Sequence, residues 1–112
     1  MKAVRLHTYG HISNLKLDLI DEPICNQNQI KINIKASSIN HLDVWVRNGL
    51  DHSIKLPMII GSDGAGKIVE VGKNINKYKI GDNILIQPGL FCKKCKYCLS
   101  NKQNYCNKVA ST

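Results

Sequence analysis

At 112 residues the chain is long enough for one compact domain with its own apolar core and too short for two of ordinary size. Its apolar runs are only a few residues long, far below the roughly 20 needed to cross a bilayer as a helix. The opening MKAVRLHTYGHISN has an early lysine and arginine but no apolar stretch behind them, so no secretory signal is legible. The expectation is a cytoplasmic, reducing location with no membrane partner. The formal charge of +8 admits a nucleic-acid surface, yet 14 of the 16 cations are lysines, whereas bidentate reading of guanine favours arginine. Nucleic-acid binding is therefore disfavoured, and a solvated lysine-rich surface is the simpler reading.

In chain order, the first ninety residues read as a β-rich body. Ala3, Val4 and Leu6 can pack from a mixed segment that a Tyr9-Gly10-His11 turn ends. Leu15, Leu17 and Leu19 alternate with Lys16 and Asp18, which predicts a half-buried strand with three leucines on one side. After Pro23, Ile30, Ile32 and Ile34 alternate with Lys31, Asn33 and Lys35, the clearest strand pattern in the chain. Between His41 and Asn48 the period changes. Leu42, Trp45 and Val46 fall at i, i+3, i+4, with Asn40 available as a cap and Gly49 as a stop, which predicts a short helix with Trp45 in the core or in a cleft wall. Ile68, Val69 and Val71 form a β-branched run that Gly72 ends, and Ile84 and Ile86 another that Gly81-Asp82 begins. Gly61, Gly64 and Gly66 lie between these blocks, where permissive backbone serves bends in a curved sheet.

In CKKCKYCLSNKQNYC the cysteines Cys92, Cys95, Cys98 and Cys106 are separated by two, two and seven residues. A C-x-x-C step lets one tight turn aim two sulfurs at one point, and Zn²⁺ prefers tetrahedral coordination by soft thiolates. Four thiolates leave no position for water or substrate, so such a zinc would be structural. The alternatives are free thiols, two disulfides, disfavoured because nothing points to export, or an iron–sulfur cluster. Lys93, Lys94, Lys96 and Lys102 would help neutralise a zinc tetrathiolate, while Phe91, Tyr97 and Tyr105 read as packing anchors rather than base-stacking platforms. Cys25 stands alone and reads as an unpaired thiol. His7, His11 and His52 have no metal-ligand partner at suitable spacing and receive no role.

With these residues in view, the chain resembles the N-terminal, GroES-like half of the medium-chain dehydrogenase/reductase superfamily, the group of zinc alcohol dehydrogenases and quinone oxidoreductases. The likeness is carried by MKAVRLHTYG, IKASSINHLDVWVRNG, GSDGAGKIVEVG, KIGDNILI and the cysteine lobe, and covers essentially the whole chain. It implies a mainly β fold with short helices, a partly open GroES-like β-barrel over residues 1–112 that carries a four-cysteine zinc lobe at 91–107. Alcohol dehydrogenases of this group use a cysteine where this chain has Asn40, and histidine followed by glutamate where it has Ser62-Asp63. Neither Asn40 nor Ser62 is a good zinc ligand, so a catalytic zinc of the usual kind is not expected. The NHLD string looks more like zinc-lobe-containing relatives of quinone oxidoreductases.

By that similarity Asn40, Asp43 and Asp63 are the candidate catalytic residues. Asn40 would face cofactor and substrate and hydrogen-bond a carbonyl, with Asp43 and Asp63 organising the polar floor of the cleft. His41 is the candidate cofactor-binding residue, near the pyrophosphate. Structural alternatives stand beside each: Asn40 is a ready helix cap, and Asp43 precedes Arg47 by four residues, an ion-pair spacing worth about 0.2–0.5 kcal/mol.

Members of the superfamily continue into a Rossmann domain that holds NAD(P). This sequence has no strand–GxGxxG–helix unit, since GSDGAG has the wrong spacing and precedes a β-type run. The expectation is thus the N-terminal fragment of an NAD(P)-dependent oxidoreductase that acts on a small carbonyl, alcohol or quinone substrate, with NAD(P) bound only when the Rossmann half is present. The resemblance allows a homo-oligomer of the full-length protein. The chain alone is expected to be inactive. Rival readings are a stand-alone zinc-stabilised binding module, for instance for nucleic acid, and an inert truncated remnant with apolar surface where the missing part would dock.

Overall fold

The computed structural model describes residues 1–50, 54–108 and 110–111, so His52 lies outside the described residues. Strands dominate, as the alternating patterns require, and two short helices interrupt them. Three small sheets form. In the first, β1 (Lys2–Leu6) lies between β2 (Leu15–Leu19) and β4 (Met58–Ile59), antiparallel to both. In the second, β5 (Ala65–Val71) lies between β3 (Ile30–Ala36) and β6 (Asn83–Leu85). A two-stranded ribbon joins β7 (Gly89–Leu90) to β8 (Ala110–Ser111). None of these sheets closes into a full barrel among the described residues.

The core is narrow. Leu6 and Ile68 are the large side chains that become fully buried, and Ala3 is buried as well. Burial of Leu6 and Ile68 is worth about 1.5–3 kcal/mol each by apolar transfer. The second sheet gains its closeness from glycine. Gly66 sits in register with Ile34, and a Cβ there would collide with the Asn33 carbonyl oxygen and stand 2.8 Å from Ile32 Cγ2. Only hydrogen in place of a side chain lets β3 and β5 approach so nearly. The register shifts on either side of Ile32–Ile34 add local twist to the same strand pair.

One expectation needs correction. Strand β2 forms as the alternation predicts, but of its three leucines only Leu15 is half-buried: Leu17 is 66% and Leu19 82% exposed. The reason is position, because β2 is an edge strand and the cover on this face reaches Leu6 and Leu15 but not the far end at Leu17 and Leu19. The helix α1 (His41–Arg47) also forms, capped by Asn40 and stopped at Gly49 with φ +91°. Its Trp45 is 52% exposed, so of the two expected places it takes the wall of a shallow pocket with Asn48, Gly49 and Leu50 rather than the core. It packs edgewise on the neighbouring His41 ring, with centroids 5.0 Å apart.

The C-terminal end of α1 is tied to the turn after β1. The Gly10 amide donates to the Arg47 carbonyl at 2.7 Å, and the Arg47 guanidinium donates back to the Gly10 carbonyl oxygen. This tie closes one side of the main cleft. No helix among the described residues is long and apolar enough to cross a membrane.

Candidate functional site

The lobe begins with a tight turn. Lys93 adopts a left-handed conformation, φ +58°, which turns the following backbone amides back toward Cys92. The Cys95 amide donates to Cys92 Sγ at 3.3 Å. Cys95 then caps α2 (Lys96–Leu99), which carries Cys98 one turn on. The helix ends in a Schellman arrangement: Lys102 N donates to Tyr97 O at 2.8 Å and Asn101 N to Cys98 O at 3.4 Å, with Asn101 left-handed at φ +58°. A single 3₁₀ turn, Gln103–Tyr105, returns Cys106 to the other three.

The sulfurs of Cys92, Cys95, Cys98 and Cys106 all lie within 4.8 Å of one another. At a Zn–S length of about 2.3 Å, tetrahedral sulfurs stand about 3.8 Å apart, and the Cys92–Cys98 separation is 3.8 Å. That is far beyond a disulfide bond of about 2.05 Å, and all five cysteines are free thiols. The donor set is therefore a sulfur cage of the right size for zinc, with amides of Cys95 and Lys108 already donating to its sulfurs.

The lobe has little else to hold it together. Cys98 and Cys106 are its buried side chains, whereas Leu99 is 73% and Tyr105 63% exposed. The Tyr97–Tyr105 contact, with centroids 5.8 Å apart, and Lys96 stacked over Tyr97 lie outside this centre. The interior of the lobe is its sulfur, as the cysteine spacing predicts.

Electrostatics divides the thiols. Backbone amides of Lys94 and Cys95 that donate to its sulfur draw the Cys92 thiol down to about 6, whereas burial pushes Cys98 up to about 12. Cys92 is thus the readier thiolate, while Cys98 must give up a proton on binding. Only the thiolate ligates, so zinc affinity should rise with pH across the neutral range and uptake should release protons. Calorimetry in buffers of different ionisation enthalpy measures both; an affinity unchanged between about pH 6 and 8 would contradict the assignment.

A second feature lies between the first sheet and α1. A cleft of about 570 Å³ is lined mainly by apolar side chains, among them Ile34, Ile39, Val44 and Ile59, with Asp43 and Asp63 in its polar part. That volume suits a small organic molecule. Asp43 is buried, and its Oδ2 accepts from the Asn40 amide at 2.8 Å, supplying the carboxylate half of a capping box. Among the described residues it makes no ion pair with Arg47. Asp63 Oδ2 accepts from Asn40 Nδ2 at 2.6 Å and from Ser38 Oγ at 2.8 Å. Those two hydrogen bonds, Asn40's the larger influence, hold the Asp63 carboxyl below its usual range.

The structure thus joins Asn40, Asp43 and Asp63 by hydrogen bonds, but only Asp43 and Asp63 line the cleft; Asn40 stands beside it and the exposed ring of His41 lies on the Trp45 side of α1. Ser38 was not foreseen. A serine in an SSIN string carries no spacing signal, and only the fold puts its hydroxyl opposite Asp63, 25 residues away. Nor is His7 idle: its Nε2 pairs with Asp18 Oδ2 at 2.7 Å, beside Arg5.

Residues 26–112 match the alcohol dehydrogenase GroES-like domain. The chain is 32% identical to the NAD-dependent alcohol dehydrogenase of Sulfolobus acidocaldarius, over 96% of its own length and 32% of that protein. It superposes on a cobalt- and zinc-bound thermostable alcohol dehydrogenase from Pyrobaculum aerophilum with a TM-score of 0.86 at 30% identity, covering 96% of this chain and 32% of that one. It superposes on the Escherichia coli quinone oxidoreductase complexed with NADPH with a TM-score of 0.72 at 27% identity, covering 76% and 26%. The chain therefore belongs to the alcohol dehydrogenase GroES-like domain family, within the medium-chain dehydrogenase/reductase superfamily. It spans about a third of the length of these relatives.

Proposed function

We propose that residues 1–112 form the GroES-like part of a zinc-containing NAD(P)-dependent oxidoreductase, with 91–107 as its structural zinc lobe. The observation that carries this reading is the juxtaposition, within a member of this family, of an apolar cleft of about 570 Å³ with an acidic polar floor. The relatives named above are described as NAD-dependent, as bound to cobalt and zinc, and as complexed with NADPH. In a full-length enzyme NAD(P) would supply or receive the hydride.

The residues of this chain would bind and orient a small alcohol, carbonyl or quinone. Asn40 spends one amide hydrogen on Asp63, and the family likeness suggests the second for a substrate oxygen at the edge of the cleft. Asp43 holds the start of α1, and with it the position of Asn40, by accepting the Asn40 amide. His41 is the cofactor-side candidate, a role suggested by the family likeness alone. By itself the chain is expected to perform no hydride transfer, because its sequence carries no dinucleotide-binding glycine unit.

The test is to join the chain to a Rossmann-containing remainder and assay NAD(P)H oxidation. Turnover of an alcohol, aldehyde, ketone or quinone is expected only in the joined protein, and Asp63→Ala should lower kcat/KM by about 10–100-fold. A joined protein that binds NAD(P) yet turns over none of these classes would overturn the proposal.

A further inference from the structure

Asp63 is held by donors on one oxygen only. Its Oδ2 accepts both Ser38 Oγ and Asn40 Nδ2, which fixes the plane of the carboxylate. Its Oδ1 has no donor among the described residues, and the residue lines the cleft. The other charged groups of the lining are committed elsewhere. Asp43 accepts the Asn40 amide, and the Arg47 guanidinium is drawn to the Gly10 carbonyl. What remains toward a ligand is an oriented anionic acceptor at the open, polar edge of an apolar cleft. An acceptor of that kind favours a hydroxyl, which can donate to it, and disfavours a carbonyl oxygen, which cannot.

We infer that Asp63 is a specificity-determining acceptor that makes this cleft select an otherwise apolar small alcohol over the ketone of the same carbon skeleton. Ser38 is the positioning residue that aims this acceptor. The inference rests on the cleft being the substrate site, as proposed above. The hydroxyl hydrogen would lie on Oδ1 of Asp63, which lines the cleft. The ketone, with no hydrogen to donate, would lose that contact. A hydrogen bond to a charged acceptor corresponds to about a tenfold preference.

Cyclohexanol and cyclohexanone, titrated separately into the zinc-loaded 112-residue chain and followed by amide chemical shifts, measure this directly. Cyclohexanol should bind about tenfold more tightly and shift the amides of Ser38, Asn40 and Asp63. Asp63→Ala should remove the preference. Ser38→Ala should reduce it and Ser38→Thr restore it, which provides a test even if the Asp63 variant does not fold. Equal affinities for the two probes, or a preference that survives both Asp63→Ala and Ser38→Ala, would overturn the selection while leaving the cleft a binding site. Absence of any shift at cleft residues with either probe would overturn the substrate-site reading itself.

Discussion

Replacement of Cys98 by serine is expected to strip the chain of zinc and to unfold the lobe while the β body stays folded. The reasoning starts from burial: Cys98 is 8% and Cys106 4% exposed, and no apolar side chain of the lobe is buried comparably. Take away one sulfur, and a hard oxygen replaces a soft donor at a site whose remaining ligands depend on the metal for their convergence. Changes one shell farther out from a metal cost 10–100-fold in affinity, so the loss here should exceed about 100-fold. Bound zinc should fall from one per chain to near zero, and amide dispersion should collapse for residues 91–108 but persist in β1–β6. Cys25→Ser is the control. Its Sγ lies 3.3 Å from the Gln29 carbonyl oxygen, outside the sulfur cage, and zinc content should not change. Full zinc retention in the Cys98 variant would remove Cys98 from the ligand set.

The second large effect is expected at Gly72. This glycine is buried where the end of β5 meets the turn before β3, and its amide donates to the Gln29 carbonyl at 2.8 Å. A Cβ there would collide with the Asn26 carbonyl oxygen and lie 2.5 Å from that of Gln27. Both obstacles are backbone, which cannot swing aside as a side-chain tip can. Gly72→Ala should therefore destabilise the fold by about 3 kcal/mol and lower the melting midpoint by roughly 10–20 °C. Gly81→Ala is the instructive comparison. At φ +94° with open space around the new Cβ, it meets conformational strain alone, at about 1 kcal/mol. Equal melting shifts for the two variants would mean that contact at Gly72 is not the controlling factor.

Much of this fold can be read from the sequence because its cues are local. The Ile30–Ile34 alternation forms β3 with a buried partner in Ile68, and the i, i+3, i+4 pattern with Asn40 ahead and Gly49 behind forms α1. What local patterning cannot reveal is which face finds a cover. The Leu15–Leu19 alternation specifies a strand, but whether its leucines are buried depends on neighbours distant in sequence, and β2 lies at an edge. Trp45 lines a shallow pocket rather than the core for the same reason, since the helical stripe locates a face but not what packs against it.

The site divides similarly. The metal centre is legible because its ligands cluster within fifteen residues and their spacing is itself the geometry. The helix α2 between them was not foreseen, although Ser100-Asn101 is a sensible helix stop once Asn101 is seen to be left-handed. In the cleft, Asn40, Asp43 and Asp63 were singled out by family likeness, and the fold joins them through hydrogen bonds. Ser38 completes the group through a contact across 25 residues that no periodicity announces.

The convergence of four sulfurs on one ion is most directly tested by zinc K-edge X-ray absorption on purified, tag-free protein. The account predicts one zinc per chain with four sulfur neighbours at about 2.3 Å and no lighter ligand in the first coordination shell. A shell that contains nitrogen or oxygen, or a folded lobe that contains no zinc, would contradict it.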